Sequence, residues 1–218
     1  VKIDQSSKIP ATVFLRAINP DYSSTESILK LFYPTKSVPT NKLTSTMWAA
    51  SPIVDTATGE ILVDAACQIG EKLAVIQQSD IKKVEVIEDI RDTIIMNTLA
   101  QDDCPGHDQA LLKFYMRLRP GNPPNQEKAQ AFFHEKFFDS NRYRLGKVGR
   151  FRLNRKFGQN VDENEMTLRP EDFLNTMKYM LALRNNEGEV DDIDHLGNRR
   201  LRPIDELAAD EVRKGLLK

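Results

Sequence analysis

Cysteine, histidine and tryptophan are scarce in this chain: two Cys, three His and one Trp among 218 residues. Cys67 and Cys104 stand far apart without C-x-x-C spacing, for which a reducing compartment is the simpler reading. His107, His134 and His195 have no metal-ligand spacing with one another or with a cysteine. No apolar run approaches the ~18 residues of a membrane helix, and no signal-peptide pattern opens the chain. Charge of one sign is also lacking. With 31 basic and 32 acidic residues the net charge is −1, so no global field attracts a polyanion and any nucleic-acid surface has to be local. Gly146-Lys147-Val148-Gly149 lacks the pattern of a P-loop or dinucleotide fingerprint. No serine or cysteine nucleophile stands near His195 in sequence, and there is no internal repeat or low-complexity tract. What remains is a globular composition, 40% hydrophobic and 29% charged, enough for one large domain or two small ones. Residue 1 is not Met, and both ends read as cuts in a longer protein.

One stretch is denser in charge than ordinary surface. Residues 188–203 read Gly-Glu-Val-Asp-Asp-Ile-Asp-His-Leu-Gly-Asn-Arg-Arg-Leu-Arg-Pro. Acids packed this closely repel one another and need water, a metal or basic partners. Arg199, Arg200 and Arg202 offer planar forks suited to carboxylate, phosphate or guanine. Gly197-Asn198 is expected to make a tight turn with positive φ, folding the basic half toward the acidic half. Three readings compete. Asp191, Asp192, Asp194 and His195 form a metal or catalytic centre of a standalone enzyme, although their spacing does not match a calcium loop. Alternatively the stretch is a charge-paired surface turn with a structural histidine, or it belongs to a pure protein-interaction module.

Along the rest of the chain, Ala11-Thr12-Val13-Phe14-Leu15-Arg16-Ala17-Ile18 is rich in strand formers and is assigned to an N-terminal strand, with a buried helix as the alternative. Ser23-Ser24-Thr25-Glu26 marks a helix start that runs to Pro34. Residues 35–50 give no clear element. Ile53-Val54-Asp55 and Glu60-Ile61-Leu62-Val63-Asp64 flank Thr56-Ala57-Thr58-Gly59 as a β-hairpin with Gly59 in the turn. A short helix passes through Leu73, Val75 and Ile76, and residues 81–87 alternate as a strand. Residues 51–100 are therefore taken as a small β-rich subdomain inserted between 1–50 and 101–218, in an α+β chain that is mainly helical. Helices follow at 108–118, 126–138, 173–183 and 205–217. The loop Arg119-Pro120-Gly121-Asn122-Pro123-Pro124 ends the first of these abruptly and is stiff, because proline fixes φ. Phe132, Phe133, Phe137 and Phe138 are assigned to the core. Residues 141–156 alternate basic with apolar and aromatic side chains. That run fits phosphate contact and, equally, a solvated face paired with the acids of 161–165 and 187–194.

Several blocks resemble, in order, the lobe of the β subunit of bacterial RNA polymerase. They are Lys8-Ile9-Pro10-Ala11-Thr12-Val13-Phe14-Leu15-Arg16-Ala17, the loop 119–124, Phe137-Phe138-Asp139, Arg142-Tyr143, Val148-Gly149-Arg150, Asn154-Arg155, Leu183-Arg184-Asn185 and the run from Gly188 to Arg200. The resemblance implies a fragment that is not itself catalytic, from a parent DNA-directed RNA polymerase, a nucleotidyltransferase. The parent's Mg²⁺ is then held by the β′ subunit, and this chain carries no cofactor. It implies that the lobe forms one wall of the DNA cleft, with Ile193, Asp194 and Arg199 as a pocket for a flipped non-template guanine. Arg119 and Arg142 would lie near single-stranded promoter DNA. Residues 119–124 match a gate loop that meets NusG-class elongation factors. Implied partners are the rest of β, the β′, α and σ subunits, and promoter and downstream DNA; the implied location is the cytoplasm, at the nucleoid. The chain departs from the family where Gln5-Ser6-Ser7 replaces a basic run and where Ile204-Asp205-Glu206-Leu207 follows the charged stretch.

Overall fold

The computed structural model describes residues 1–3, 8–56, 58–88, 90–199 and 201–217. The departure at 5–7 and the arginine at position 200 lie outside them. Two compact units divide the chain, Val1–Leu181 and Ala182–Lys218. The class is α+β and mainly helical, as expected.

Helix α1 (Ala11–Ile18) is the centre of the first unit. Seven of its eight residues are buried, from Thr12 to Ile18. This corrects the N-terminal strand assignment. The segment is short, and its β-branched Thr12, Val13 and Ile18 among other apolar residues suit a buried strand as well as a helix. Its one cation, Arg16, is 2% exposed. The guanidinium is held by Asp102 Oδ2 at 3.0 Å, Thr25 Oγ1 at 2.9 Å and the Ser23 carbonyl. Burying that charge is tolerable only because each side of the fork meets an acceptor.

Around α1 pack α5 (His107–Leu118) and α6 (Gln126–Phe137). Phe14, Phe114, Phe133, Phe137 and Phe173 interlock there, with Phe114 and Phe133 edge-on at 4.8 Å and Phe14 and Phe173 edge-on at 5.4 Å. Such pairs contribute about 0.5–1.5 kcal/mol beyond the area they bury. Phe132 and Phe138 pack against the same cluster, half-buried. Phe133 is thus core, as the sequence suggested, while Phe132, Phe137 and Phe138 pack partly buried at its edge.

Helix α2 (Thr25–Phe32) begins where the hydroxyl signal predicts, with Ser24 Oγ accepting from the Ser27 amide at 3.0 Å. Strands β1 (Thr35–Pro39), β2 (Trp48–Ala49) and β5 (Lys83–Ile87) form an antiparallel sheet in the order β1-β5-β2. Strands β3 (Ile53–Val54) and β4 (Ile61–Val63) form the expected hairpin, with Gly59 at φ +72°. The sheet thus draws β1 and β2 from the segment before residue 51. Within 51–100 lie both the short helix α3 (Leu73–Gln78) and a helix not anticipated, α4 (Ile94–Ala100). A second cluster joins α2, α4 and the sheet through Ile28, Leu29, Ile87, Ile95, Met96 and Leu99.

Helix α7 (Lys147–Phe157) ends on Gly158 in the left-handed conformation at φ +62°, and α8 (Pro170–Arg184) follows. In the second unit, Asn186 and Gly188 have φ of +59° and +96°, and the Glu187 amide returns to the Ala182 carbonyl at 2.8 Å. These turns deliver the chain into the charged loop. Helix α9 (Ile204–Leu216) follows it and has no buried residue. No described helix is long and apolar enough to cross a membrane.

Candidate nucleic-acid interface

The charged loop is built by its own short-range bonds. Asp192 Oδ1 accepts the Asp194 amide at 3.0 Å, and the Asn198 side chain donates to the Asp192 carbonyl at 2.7 Å. The Asn198 amide closes a turn onto the His195 carbonyl at 2.8 Å. Neither Gly197 nor Asn198 has positive φ. This corrects the expected left-handed Gly-Asn turn: the turn is centred one residue earlier, on Leu196-Gly197, where negative φ suffices.

Within this frame Arg199 Nη1 stands 3.8 Å from Asp194 Oδ1, and the Asp194 side chain is 93% exposed. Ile193 beside them is 81% exposed. The loop therefore brings Ile193, Asp194 and Arg199 together, as a carboxylate acceptor, a guanidinium donor and an apolar side chain, all open to solvent. An exposed pair at this distance contributes little to stability, so both groups can turn toward a ligand at small cost. Arg202 pairs with Asp210 of α9.

The metal-centre reading gains no support from this geometry. Among the described residues, the acids at 191–194 and His195 do not form a group of three that could hold an ion. His195 Nδ1 already accepts the Gly197 amide at 3.0 Å, which makes it a turn-stabilising residue. Among the described residues the one group with metal-like proximity is Asp102, Asp103 and Cys104, which the sequence did not single out. Its charges are already met, Asp102 by Arg16 and Asp103 by Lys113. The hydrogen bond with Lys113 holds the Asp103 carboxyl below its ordinary pKa and raises the lysine, while burial pushes the Cys104 thiol up, away from the thiolate a metal needs.

In the first unit, Arg119 and Arg142 are both anchored on α6. Arg119 lies over the Phe132 ring, 4.6 Å from its centre, and Arg142 pairs with Glu135. Positions 132 and 135 are i,i+3 neighbours on one helix side, so two arginines distant in sequence share one helix face. Residues 119–124 are exposed throughout, with Gly121 at φ +92° turning the loop. His134 is exposed on α6, whereas His107 is half-buried, its Nδ1 2.6 Å from the Arg16 carbonyl.

The basic run does not behave as a uniform surface. Arg150 is fully buried: it donates to Asp172 Oδ2 at 2.8 Å, to the Glu165 carbonyl at 3.2 Å and to the Thr167 carbonyl. It is removed from any phosphate. Lys156 lies 4.3 Å from the centre of the Tyr179 ring. Cys67 and Cys104 are both free thiols, the first exposed and the second buried.

The family model described as RNA polymerase Rpb2, domain 2 matches residues 74–202. The chain belongs to this RNA polymerase family. It is 47% identical over its whole length to the DNA-directed RNA polymerase subunit beta of Rhodopirellula baltica, of which it covers 18%. Over 78% of its length it is 41% identical to the subunit from Koribacter versatilis and 39% identical to that from Sorangium cellulosum, covering 12% and 13% of them. The chain thus spans less than a fifth of these relatives and corresponds to the lobe, domain 2, of an RNA polymerase β subunit. The Rpb2 match takes in the exposed loop 119–124, Arg142 and the charged loop up to Arg202.

Proposed function

We propose that this lobe forms one wall of the DNA cleft of a bacterial DNA-directed RNA polymerase. The observation that carries the reading is the solvent-open trio of Ile193, Asp194 and Arg199, in a frame shaped by loop bonds, with Asp194 and Arg199 joined only loosely by an exposed pair at 3.8 Å. Asp194 accepts hydrogen bonds from the N1 and N2 edge of a flipped non-template guanine, Arg199 donates to its acceptors, and Ile193 covers a face of the base. Arg119 and Arg142, held on one side of α6, lie along single-stranded promoter DNA. The stiff loop at 119–124 meets a NusG-class elongation factor. Residues 51–100 serve structure.

The chain acts within an assembly of the rest of β with β′, α and σ, in the cytoplasm at the nucleoid. Template-directed nucleotide addition, and the Mg²⁺ that serves it, belong to the complete enzyme, with the metal held by β′. The chain contributes binding and positioning of DNA and no reacting group.

The test is promoter-complex lifetime in complete polymerase carrying Arg119→Ala or Arg142→Ala. Each is expected to shorten the lifetime and to flatten its salt dependence, because a phosphate contact releases counterions. Unchanged lifetime and salt slope in both variants would overturn the DNA-wall reading.

A further inference from the structure

The outer face of α7 carries an arrangement that neither the core nor the arginine pair on α6 explains. With Arg150 turned inward, residues 147, 148, 151, 152 and 155 fall on one arc of the helix, since 100° separates successive positions. All five are exposed. Three are cations, Lys147, Arg152 and Arg155, and no acid occurs anywhere in the helix. Among them stand Val148, 68% exposed, and Phe151, 50% exposed. A phenylalanine left half in water on a cationic helix is unlike the phenylalanines that interlock around α1.

We propose that this face is a platform for single-stranded nucleic acid, on which the ring of Phe151 stacks a base while Lys147 and Arg155 hold the flanking phosphates. Lys147 and Arg155 lie four residues before and after Phe151, hence about 6 Å to either side and about 12 Å apart along the axis, and their long flexible side chains can reach inward to the phosphates on either side of a base stacked on the ring. Aromatic stacking with cationic flanks is the general chemistry of sequence-tolerant strand binding. Charge complementarity selects the occupant. A partner helix docking in this position would need an apolar stripe continuing through i+4 and i+7, and after Val148 and Phe151 that stripe is occupied by Arg152 and Arg155. The inference rests on the proposed role of the chain beside DNA and adds a base-stacking residue to it.

The test uses complete polymerase and a single-stranded oligonucleotide carrying 5-iodouracil, which crosslinks on irradiation to an aromatic ring stacked upon it. Adducts are mapped by peptide mass. The expected result is an adduct at Phe151 that persists in Phe151→Trp and disappears in Phe151→Leu. Lys147→Gln with Arg155→Gln should lower the yield at sub-saturating strand, and Phe151→Leu should weaken strand binding about five-fold or more. Adducts beside Arg119 or Arg142 with none on α7 would overturn the platform and leave the DNA-wall reading standing. No adduct anywhere in the chain would overturn both. If Phe151→Leu instead releases a protein partner while strand crosslinking is unchanged, the face is a protein-docking surface and the proposal falls.

Discussion

Replacing Arg150 with alanine should be among the most damaging single changes in the chain. The guanidinium is fully buried and supplies three hydrogen bonds, to the Asp172 carboxylate and to the carbonyls of Glu165 and Thr167. Without it, Asp172, 1% exposed, keeps only the Arg169 amide at 2.8 Å, and its Oδ1 has no partner among the described residues. Breaking a buried ion pair from one side leaves a charge that water cannot reach, and costs about 3–5 kcal/mol. For a chain of this size that corresponds to a drop of about 6–20 °C in Tm. The assay is thermal unfolding followed by circular dichroism, on Arg150→Ala, Asp172→Ala and the double variant. The double variant should lose much less than the sum of the two, because each single change strands the other partner. A loss under about 1 kcal/mol in Arg150→Ala, or simple additivity of the pair, would refute the argument that this bond ties the α7–α8 connection together.

Four further outcomes follow from the same reasoning. Ser24→Ala removes the cap of α2 and should cost about 1 kcal/mol, read as a lower urea midpoint; no change would mean that the hydrogen bond to the Ser27 amide contributes nothing. Gly59→Ala should destabilise the β3–β4 hairpin by about 1 kcal/mol through its positive φ alone, since a Cβ there meets no atom within 4 Å; equal stability would contradict the strain argument. Burial raises the Cys104 thiol from its ordinary 9.0, so iodoacetamide should modify Cys67 well before Cys104. Because the native state holds this proton more tightly, the thiol's contribution to stability is present below about pH 9 and is lost as pH rises through the native-state value; equal labelling rates at pH 8 would contradict this. Millimolar Mg²⁺ or EDTA should leave Tm unchanged, whereas a metal-dependent rise would revive a centre at Asp191, Asp192, Asp194 and His195.

Local signals were readable in the sequence, and long-range ones were not. Ser24 and its helix, the hairpin around Gly59, and helices α5, α6, α8 and α9 all follow from spacing and punctuation within a few residues. Helix α1 escaped because eight residues rich in β-branched and apolar side chains read equally well as a buried strand. Strand β1 escaped because Thr35-Lys36-Ser37-Val38-Pro39 has one buried-type residue in five and acquires its structure from pairing with β5. The charged loop was legible because its bonds join residues two to six apart. Its turn was misplaced by one residue because Gly-Asn suggests a left-handed turn that the chain does not use. The anchoring of Arg119 and Arg142 on α6, and the withdrawal of Arg150 from the surface, depend on tertiary neighbours at Phe132, Glu135 and Asp172 that no local pattern names.

The most direct measurement of the central claim places Asp194→Ala in complete polymerase. Promoter-complex lifetimes are then compared on templates with guanine or thymine at the downstream non-template position. If the loop reads a base, the unsubstituted enzyme holds the guanine template longer and the variant loses that preference. If the variant keeps the same preference and the same lifetimes, the acidic–basic loop is a structural turn and the account of this lobe as a reader of DNA is contradicted.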